Sequence, residues 1–123
     1  MNDWNVGLMQ HLGMRFVEVG PDRVVAELDV REQLTTAGGA LHGGTLMALA
    51  DTVGAAGTAA AGFRTATLES KTNFFAAATA GTVRAESSAL HKGRRTHVWQ
   101  TRVTDASGRL LSLTIQTQMI LDK

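Results

Sequence analysis

The sequence predicts an α+β fold, a curved antiparallel sheet wrapped around one long central helix. Three observations carry that expectation. From His42 to about Gly62 the chain is one run of Leu, Ala, Gly, Thr and Val, interrupted by a single charge. Six shorter segments around it show strand patterning, two before the run and four after it. The breaks between those segments are short, as antiparallel connections are, and a single buried helix among them is the mark of α+β.

In order along the chain, Trp4 to Leu12 has apolar residues at Trp4, Leu8, Met9 and Leu12 and ends at Gly13, the pattern of a short helix. Met14 to Val19 and Arg23 to Val30 read as two strands around the turn signal Gly20-Pro21-Asp22. Between Arg31 and Leu41 the pattern dissolves into small and polar residues, a loop. His42 to Gly62 is then the long helix, whose small residues let neighbouring backbones approach. Strand patterns follow at Thr65 to Phe75, Thr82 to Leu90, Thr96 to Thr104 and Leu110 to Leu121. They are broken at Ala78-Thr79-Ala80-Gly81, His91-Lys92-Gly93-Arg94 and Asp105-Ala106-Ser107-Gly108. Arg84, Glu86 and Ser88 alternate with Val83, Ala85 and Ser87, and Gln116 and Gln118 alternate with Ile115 and Thr117. Such patterning places one sheet face on the core and leaves the other wetter. This is the hotdog arrangement. A sheet that covers one helix leaves an outer face and edges unfinished, so protomers are expected to pair.

The 123 residues, 44% hydrophobic and 19% charged, make one ordinary domain over 1–123 that can bury a core without staples. A net charge of +1 gives no field that would mark nucleic acid or a membrane surface as partner. Few aromatics and no tyrosine argue against base stacking. The absence of cysteine excludes disulfides, zinc–thiolate sites and thiol catalysis. His11, His42, His91 and His97 show no metal-ligand spacing, so no metal is expected. The glycines Gly38-Gly39 and Gly43-Gly44 do not form a dinucleotide fingerprint, and no Gly-x-Ser-x-Gly elbow accompanies the His-Gly-Gly sequence. Leu41 to Phe63 is long enough to raise a membrane span, but Asp51 near its middle and five glycines within it argue for a core helix. Met1-Asn2-Asp3-Trp4 lacks the features of a signal peptide, and the expected location is cytoplasmic.

Between Glu32 and Arg64 the chain carries one formal charge, Asp51. A carboxylate in so apolar a stretch must be desolvated, partnered or used. In an apolar cleft it reads as a nucleophile or general base; the alternative is a carboxylate held by Thr or backbone donors to fix the fold. Upstream, His42-Gly43-Gly44 opens the helix, where unpaired N–H groups and the positive end of the dipole point outward. Glycine lets a carbonyl come close, and donors of this kind contribute ~3–4 kcal/mol to an oxyanion. The alternative is relief of crowding at a tight junction. Eight residues of helix span roughly 12 Å, so Asp51 and the Gly43 N–H do not easily address one carbonyl carbon within a protomer. If both act on one carbonyl, they come from different subunits, and a dimer with antiparallel central helices holds two equivalent sites.

The segment Leu41-His42-Gly43-Gly44-Thr45-Leu46-Met47-Ala48-Leu49-Ala50-Asp51-Thr52 closely resembles the signature of hotdog acyl-CoA thioesterases of the phenylacetate-degradation and hydroxybenzoyl-CoA-like group. Leu90 to Gln100 is similar to the later strand pair of the dihydroxynaphthoyl-CoA thioesterases, and the resemblance runs from about Met14 to Leu121. It implies that Asp51 is the catalytic carboxylate and Gly43 the oxyanion-hole amide, with His42 beside them shaping the pocket. Thr36 falls where relatives have Gln or Asn orienting the thioester or attacking water, and its shorter hydroxyl departs from that pattern. Thr67 falls where relatives place a residue near the thioester, and Thr52 is grouped with the substrate-binding residues. Phe74, Phe75, Ala76 and Ala77 match the strand end that lines the pantetheine and nucleotide path. His91, Lys92, Gly93, Arg94, Arg95 and Thr96 form a basic turn suited to phosphate, or else a solvated hairpin.

The resulting expectation is an acyl-CoA thioesterase acting on an aryl or short-to-medium acyl chain. The thioester carbonyl accepts the Gly43 N–H of one subunit, and Asp51 of the other attacks it or activates water. Coenzyme A is part of the substrate and no separate cofactor is implied. Self-association as a homodimer or dimer-of-dimers homotetramer is expected, with no nucleic acid or membrane partner. The alternative from a different class is a non-catalytic acyl-CoA-binding hotdog module. A hydratase would pair the carboxylate with a catalytic His, and none stands shortly after Asp51.

Overall fold

A short helix α1 (Gly7–Leu12) leads into strands β1 (Arg15–Val19) and β2 (Arg23–Asp29), then a single 3-10 turn (Glu32–Leu34) and the long helix α2 (Gly43–Ala60). Strands β3 (Arg64–Phe74), β4 (Thr82–Lys92), β5 (Thr96–Thr104) and β6 (Leu110–Asp122) complete the chain. The computed structural model describes residues 4–122, and the Met1-Asn2-Asp3 start considered above lies outside them. All strands pair antiparallel in the order β1-β2-β4-β5-β6-β3, which returns β3 to one edge of the sheet. The sheet curves around α2, which touches all six strands. This is the hotdog fold that the order of elements predicts.

The core forms where aliphatic positions of helix and sheet coincide. Leu46, Leu49, Val53 and Ala56 of α2 meet Val24, Ala26 and Leu28 of β2, Val83 and Ala85 of β4, Val103 of β5 and Leu111 of β6. Each large aliphatic side chain buried this way contributes about 1.5–3 kcal/mol. Interior glycines in α2 have a specific cause. A Cβ at Gly57 would stand 2.2 Å from the Trp99 ring, and one at Gly54 would stand 2.6 Å from the Gln116 side chain. At Gly54 and Gly57 the helix therefore admits large side chains from the sheet.

Element boundaries depart from the sequence reading at three places. The first helix begins at Gly7, while Trp4 packs half-buried against the core. The loop after β2 contains the 3-10 turn, whose Leu34 is buried and anchors the approach to α2. Strand β4 runs through Lys92 past a bulge between Ala89 and His91, so the basic turn narrows to Gly93-Arg94-Arg95.

The larger departure concerns β6. Period-two alternation is present, but the polar phase faces inward: Ser112, Thr114, Gln116 and Gln118 are fully buried, while Leu113, Ile115 and Thr117 lie half-exposed on the other face. The face of α2 above them carries Asp51 and the small residue Gly54, which give the glutamines both partners and room. Strand β4 keeps the expected phase, with Val83, Ala85 and Ser87 inside. Among the described residues no helix is long and apolar enough to cross a membrane.

Candidate active site

Asp51 lies in the third turn of α2, half-buried. Its Oδ1 accepts the Thr67 hydroxyl at 2.5 Å and the Gln116 Nε2–H at 3.3 Å. The same Nε2 directs one hydrogen to Gln118 Oε1 at 2.9 Å, and its other hydrogen is shared between Asp51 Oδ1 and the Asp51 backbone carbonyl at 3.1 Å. Gln118 Nε2 donates in turn to Thr65 Oγ1 at 3.0 Å, and that hydroxyl donates to the Met119 carbonyl at 2.8 Å. Thr67 and Gln118 are cross-strand partners on β3 and β6, so the sheet register itself brings this group under the helix. Asp51 Oδ2 has no hydrogen-bond partner among the described residues. A pocket of about 280 Å³ opens here, lined by Met47, Ala48, Asp51, Thr67 and Ser70. A carboxylate anchored through one oxygen, with the other free at a pocket, can attack a carbonyl carbon or take a proton from water.

The start of α2 forms a second feature. His42 caps the helix, its Nδ1 accepting the Gly44 N–H at 2.7 Å. That bond removes one of the two expected glycine donors. The Gly43 N–H donates to no acceptor among the described residues, and a Cβ on Gly43 would stand 3.1 Å from Cζ of Phe74. Glycine thus lets the Phe74 ring lie close without having to shift, and it also leaves a backbone donor beside that ring. Gly43, Met47 and Asp51 fall at every fourth position and share one stripe of the helix. At about 1.5 Å per residue the first and last are roughly 12 Å apart.

Residues 38–112 match the thioesterase superfamily. The chain belongs to that family. It is 33% identical to the 1,4-dihydroxy-2-naphthoyl-CoA hydrolase of Listeria monocytogenes, across 88% of this chain and 90% of that one. Among solved structures it is similar to AziG of S. sahachiroi, with a TM-score of 0.90 and 30% identity over 96% of this chain and 98% of that one. It is also similar to a Staphylococcus aureus thioesterase carrying a glutamine-to-alanine change, with a TM-score of 0.88 and 27% identity over 92% and 97% of the two chains. A second structure of the staphylococcal protein, TM-score 0.90 and 26% identity over 95% and 100%, carries a glutamate-to-alanine change.

In this thioesterase-family chain the remaining candidates are scattered. Thr36 is exposed, its hydroxyl oxygen accepting the Gly38 N–H at 3.2 Å and its N–H donating to the Ala40 carbonyl at 2.8 Å within its own loop. Thr52 is half-buried next to Asp51. Phe75 and Ala77 are exposed, and Ala76 is half-buried against the core. In the basic segment, Lys92 pairs with Asp22 at 2.6 Å and the Gly93 N–H donates to the Thr96 carbonyl at 2.8 Å. Arg94, Arg95 and His91 are exposed, and Thr96 is half-buried. Arg94 and Arg95 form no ion pair among the described residues, so two guanidinium groups remain to meet phosphate. Thr96 pairs with Met119 and Phe74 with Ser112, seven residues apart on β6 and therefore roughly 23 Å at about 3.3 Å per residue. The basic turn and the Phe74–Ala77 segment lie at opposite ends of the sheet. Among the described residues no His, Cys, Asp and Glu side chains gather in the threes a metal ion needs.

Sequence reasoning missed Gln116, Gln118 and Thr65 as neighbours of Asp51. A signal for the glutamines exists. They are in phase with Ser112 and Thr114, whereas the opposite phase holds Leu113 and Ile115, and an all-polar phase next to a helix with one buried-side carboxylate points inward. It also missed a second buried group. His97, 3% exposed, meets Thr58 Oγ1 through Nδ1 at 3.0 Å, and Trp99 Nε1–H donates to the same hydroxyl at 2.9 Å. Burial pushes the His97 imidazole below the ordinary histidine range, with the Lys92 ammonium and His91 adding to the effect.

Proposed function

We propose that this chain hydrolyses the thioester of an aryl- or short-to-medium-chain acyl-CoA to free acid and coenzyme A. The observation that carries the reading is Asp51, held through Oδ1 by Thr67 and Gln116 and free at Oδ2 beside a pocket. Either Oδ2 adds to the thioester carbonyl and water then hydrolyses the resulting mixed anhydride to restore the carboxylate, or Oδ2 removes a proton from the water that adds directly. The carbonyl oxygen takes the developing charge, the carbon–sulfur bond breaks, and coenzyme A leaves as the thiol. The likeness to a dihydroxynaphthoyl-CoA hydrolase supports an aryl acyl group. The two altered residues of the staphylococcal relative stand fifteen positions apart, the spacing of Thr36 and Asp51 here. That agreement supports Asp51 as the reacting carboxylate. It also leaves Thr36, whose hydroxyl accepts the Gly38 N–H and keeps its own proton to donate, as a shorter orienting group than an amide.

The site is completed by a second copy. Asp51, Thr67 and the arginine turn sit toward one end of the sheet, while Gly43, His42 and the Phe74–Ala77 segment sit toward the other. A two-fold axis beside the β3 edge runs the two α2 helices antiparallel and sets the Asp51 end of one protomer against the Gly43 end of its partner. The oxyanion then accepts the Gly43 N–H across the interface, and one coenzyme A reaches both phosphate-binding arginines and the opposite Phe74 segment. Coenzyme A enters as part of the substrate with no further cofactor. Pairing of two such dimers into a tetramer and a cytoplasmic location complete the reading.

Thiol release from benzoyl-, phenylacetyl-, dihydroxynaphthoyl- and fatty acyl-CoA tests it. Hydrolysis of at least one aryl ester is expected, and Asp51→Asn is expected to keep its thermal melt while losing two or more orders of magnitude in turnover. Binding of these esters with no thiol release would leave a non-catalytic acyl-CoA-binding module instead. Mixed dimers of Asp51→Asn and Gly43→Val chains, each inactive alone, are expected to regain one working site in two; verified mixed dimers that stay inactive would overturn the shared site.

A further inference from the structure

We propose that Gln116 is a positioning residue for Asp51: its side-chain amide grips Oδ1 and the helix carbonyl behind it, so that Oδ2 is always the oxygen presented to the substrate. The proposal rests on the thioesterase reading above. Gln116 is fully buried, and three acceptor oxygens surround its Nε2: the Asp51 carbonyl, Asp51 Oδ1 and Gln118 Oε1. That surrounding fixes the amide orientation, because exchanging nitrogen and oxygen would set an acceptor against all three.

Two features of the fold are disadvantageous except for this contact. Gln116 Oε1 is buried without a partner among the described residues, an uncommon state that an apolar side chain of the same size would avoid. Gly54, three residues beyond Asp51, leaves the slot that the amide occupies, since a Cβ there would stand 2.6 Å from both Cδ and Oε1 of Gln116. Glycine inside a helix is itself less stable than alanine. An orphaned acceptor and a helix glycine are both kept at one point, and that point is the carboxylate.

The grip acts on two torsions together. Contact with the backbone carbonyl fixes the amide relative to the helix, and contact with Oδ1 then fixes the carboxylate relative to the amide. With Thr67 alone, the carboxylate plane turns about its terminal bond and the two oxygens exchange places. Gln116 is not among the residues lining the pocket, so its loss changes turnover and not substrate binding.

The test is Gln116→Met, which keeps volume and removes the donor, assayed on the aryl-CoA ester the wild type cleaves best. Turnover is expected to fall about 10- to 100-fold with KM within about twofold and the melt unchanged or higher. A stable Gln116→Met protein with wild-type turnover would overturn the proposal. A second readout needs neither that variant's stability nor any activity. In Asp51→Asn the Gln116 side-chain amide resonances are expected to shift from their wild-type positions, because the oxygen facing that amide loses its charge. Unchanged Gln116 amide resonances in Asp51→Asn would overturn the grip, whereas a wild type that cleaves no CoA ester overturns only the thioesterase reading.

Discussion

Helix α2 meets two polar groups of the sheet seven residues apart, and they are built to opposite ends. At Asp51 the partners are Thr67 and Gln116, with Gln118 bonded behind them, one carboxylate oxygen is left over, and a pocket opens beside it. At Thr58 the partners are His97 and Trp99, all three side chains are buried, and one hydroxyl satisfies both rings. Trp99 donates to Thr58, so the Thr58 proton is free to go to His97 Nδ1, which suits a neutral imidazole. The comparison teaches what to look for in a buried polar group. One whose hydrogen bonds close on themselves holds the fold, and one that leaves a charged atom unpaired at a pocket is open to a reactant.

The largest effect expected at the closed group is on stability. Trp99 lies on Gly57 and fills the gap between helix and sheet, so Trp99→Ala should lower the unfolding free energy by about 3–5 kcal/mol in a denaturant titration. A loss under about 1 kcal/mol would mean that the ring is not the keystone of this end. Gly57→Ala comes next. The new Cβ would stand 2.2 Å from the ring, so overpacking of about 1–3 kcal/mol should outweigh the roughly 1 kcal/mol gained in helix propensity.

A smaller effect is expected with pH. Because burial lowers the His97 value, the unfolded chain takes up a proton first as pH falls below the ordinary 6.5. Stability is therefore full above that pH, declines as pH drops through it by at most about 1.4 kcal/mol per unit, and levels off below the folded value. His97→Asn should flatten this part of the stability profile; an unchanged slope would assign it to another group. The smallest effect on stability belongs to the exposed arginines, which join neither group. Arg94→Ala with Arg95→Ala should shift stability by less than about 0.5 kcal/mol. The pair should raise KM for CoA esters more than it lowers kcat, and should matter less for short thioesters without the nucleotide. Equal losses on both substrates would give these arginines a structural role.

Most of the fold was legible because its main signals are local. The run from His42 to Gly62 allows one element only, and Thr96 to Thr104 has the bounds the alternation predicts. Asp51 was legible as a lone charge in an apolar run, and Thr67 only through the family resemblance. What escaped is what depends on partners distant in sequence. The inward phase of Gln116 and Gln118 follows from what α2 carries above them, and polarity alone points such residues outward. Gly54 and Gly57 read as generic small residues until Gln116 and Trp99, more than forty positions on, come to lie against them. The basic turn read as one patch, but Lys92 pairs with Asp22 of the β1–β2 turn, which leaves Arg94 and Arg95 without an ion pair among the described residues.

The difference between the two groups is tested most directly by removing the same atom from each. Thr67→Val and Thr58→Val both delete one hydroxyl with little change of shape, and each protein is measured for melting temperature and for turnover on the same aryl-CoA ester. Thr67→Val should keep its melting temperature and lose about tenfold or more in kcat, because the lost bond orients the carboxylate proposed to react. Thr58→Val should keep its kcat at a temperature where it is folded and lose about 1–3 kcal/mol of stability, because two buried ring nitrogens lose their partner. A Thr67→Val protein with full turnover, or a Thr58→Val protein with an unchanged melt and impaired turnover, would contradict the division between a group that reacts and a group that holds.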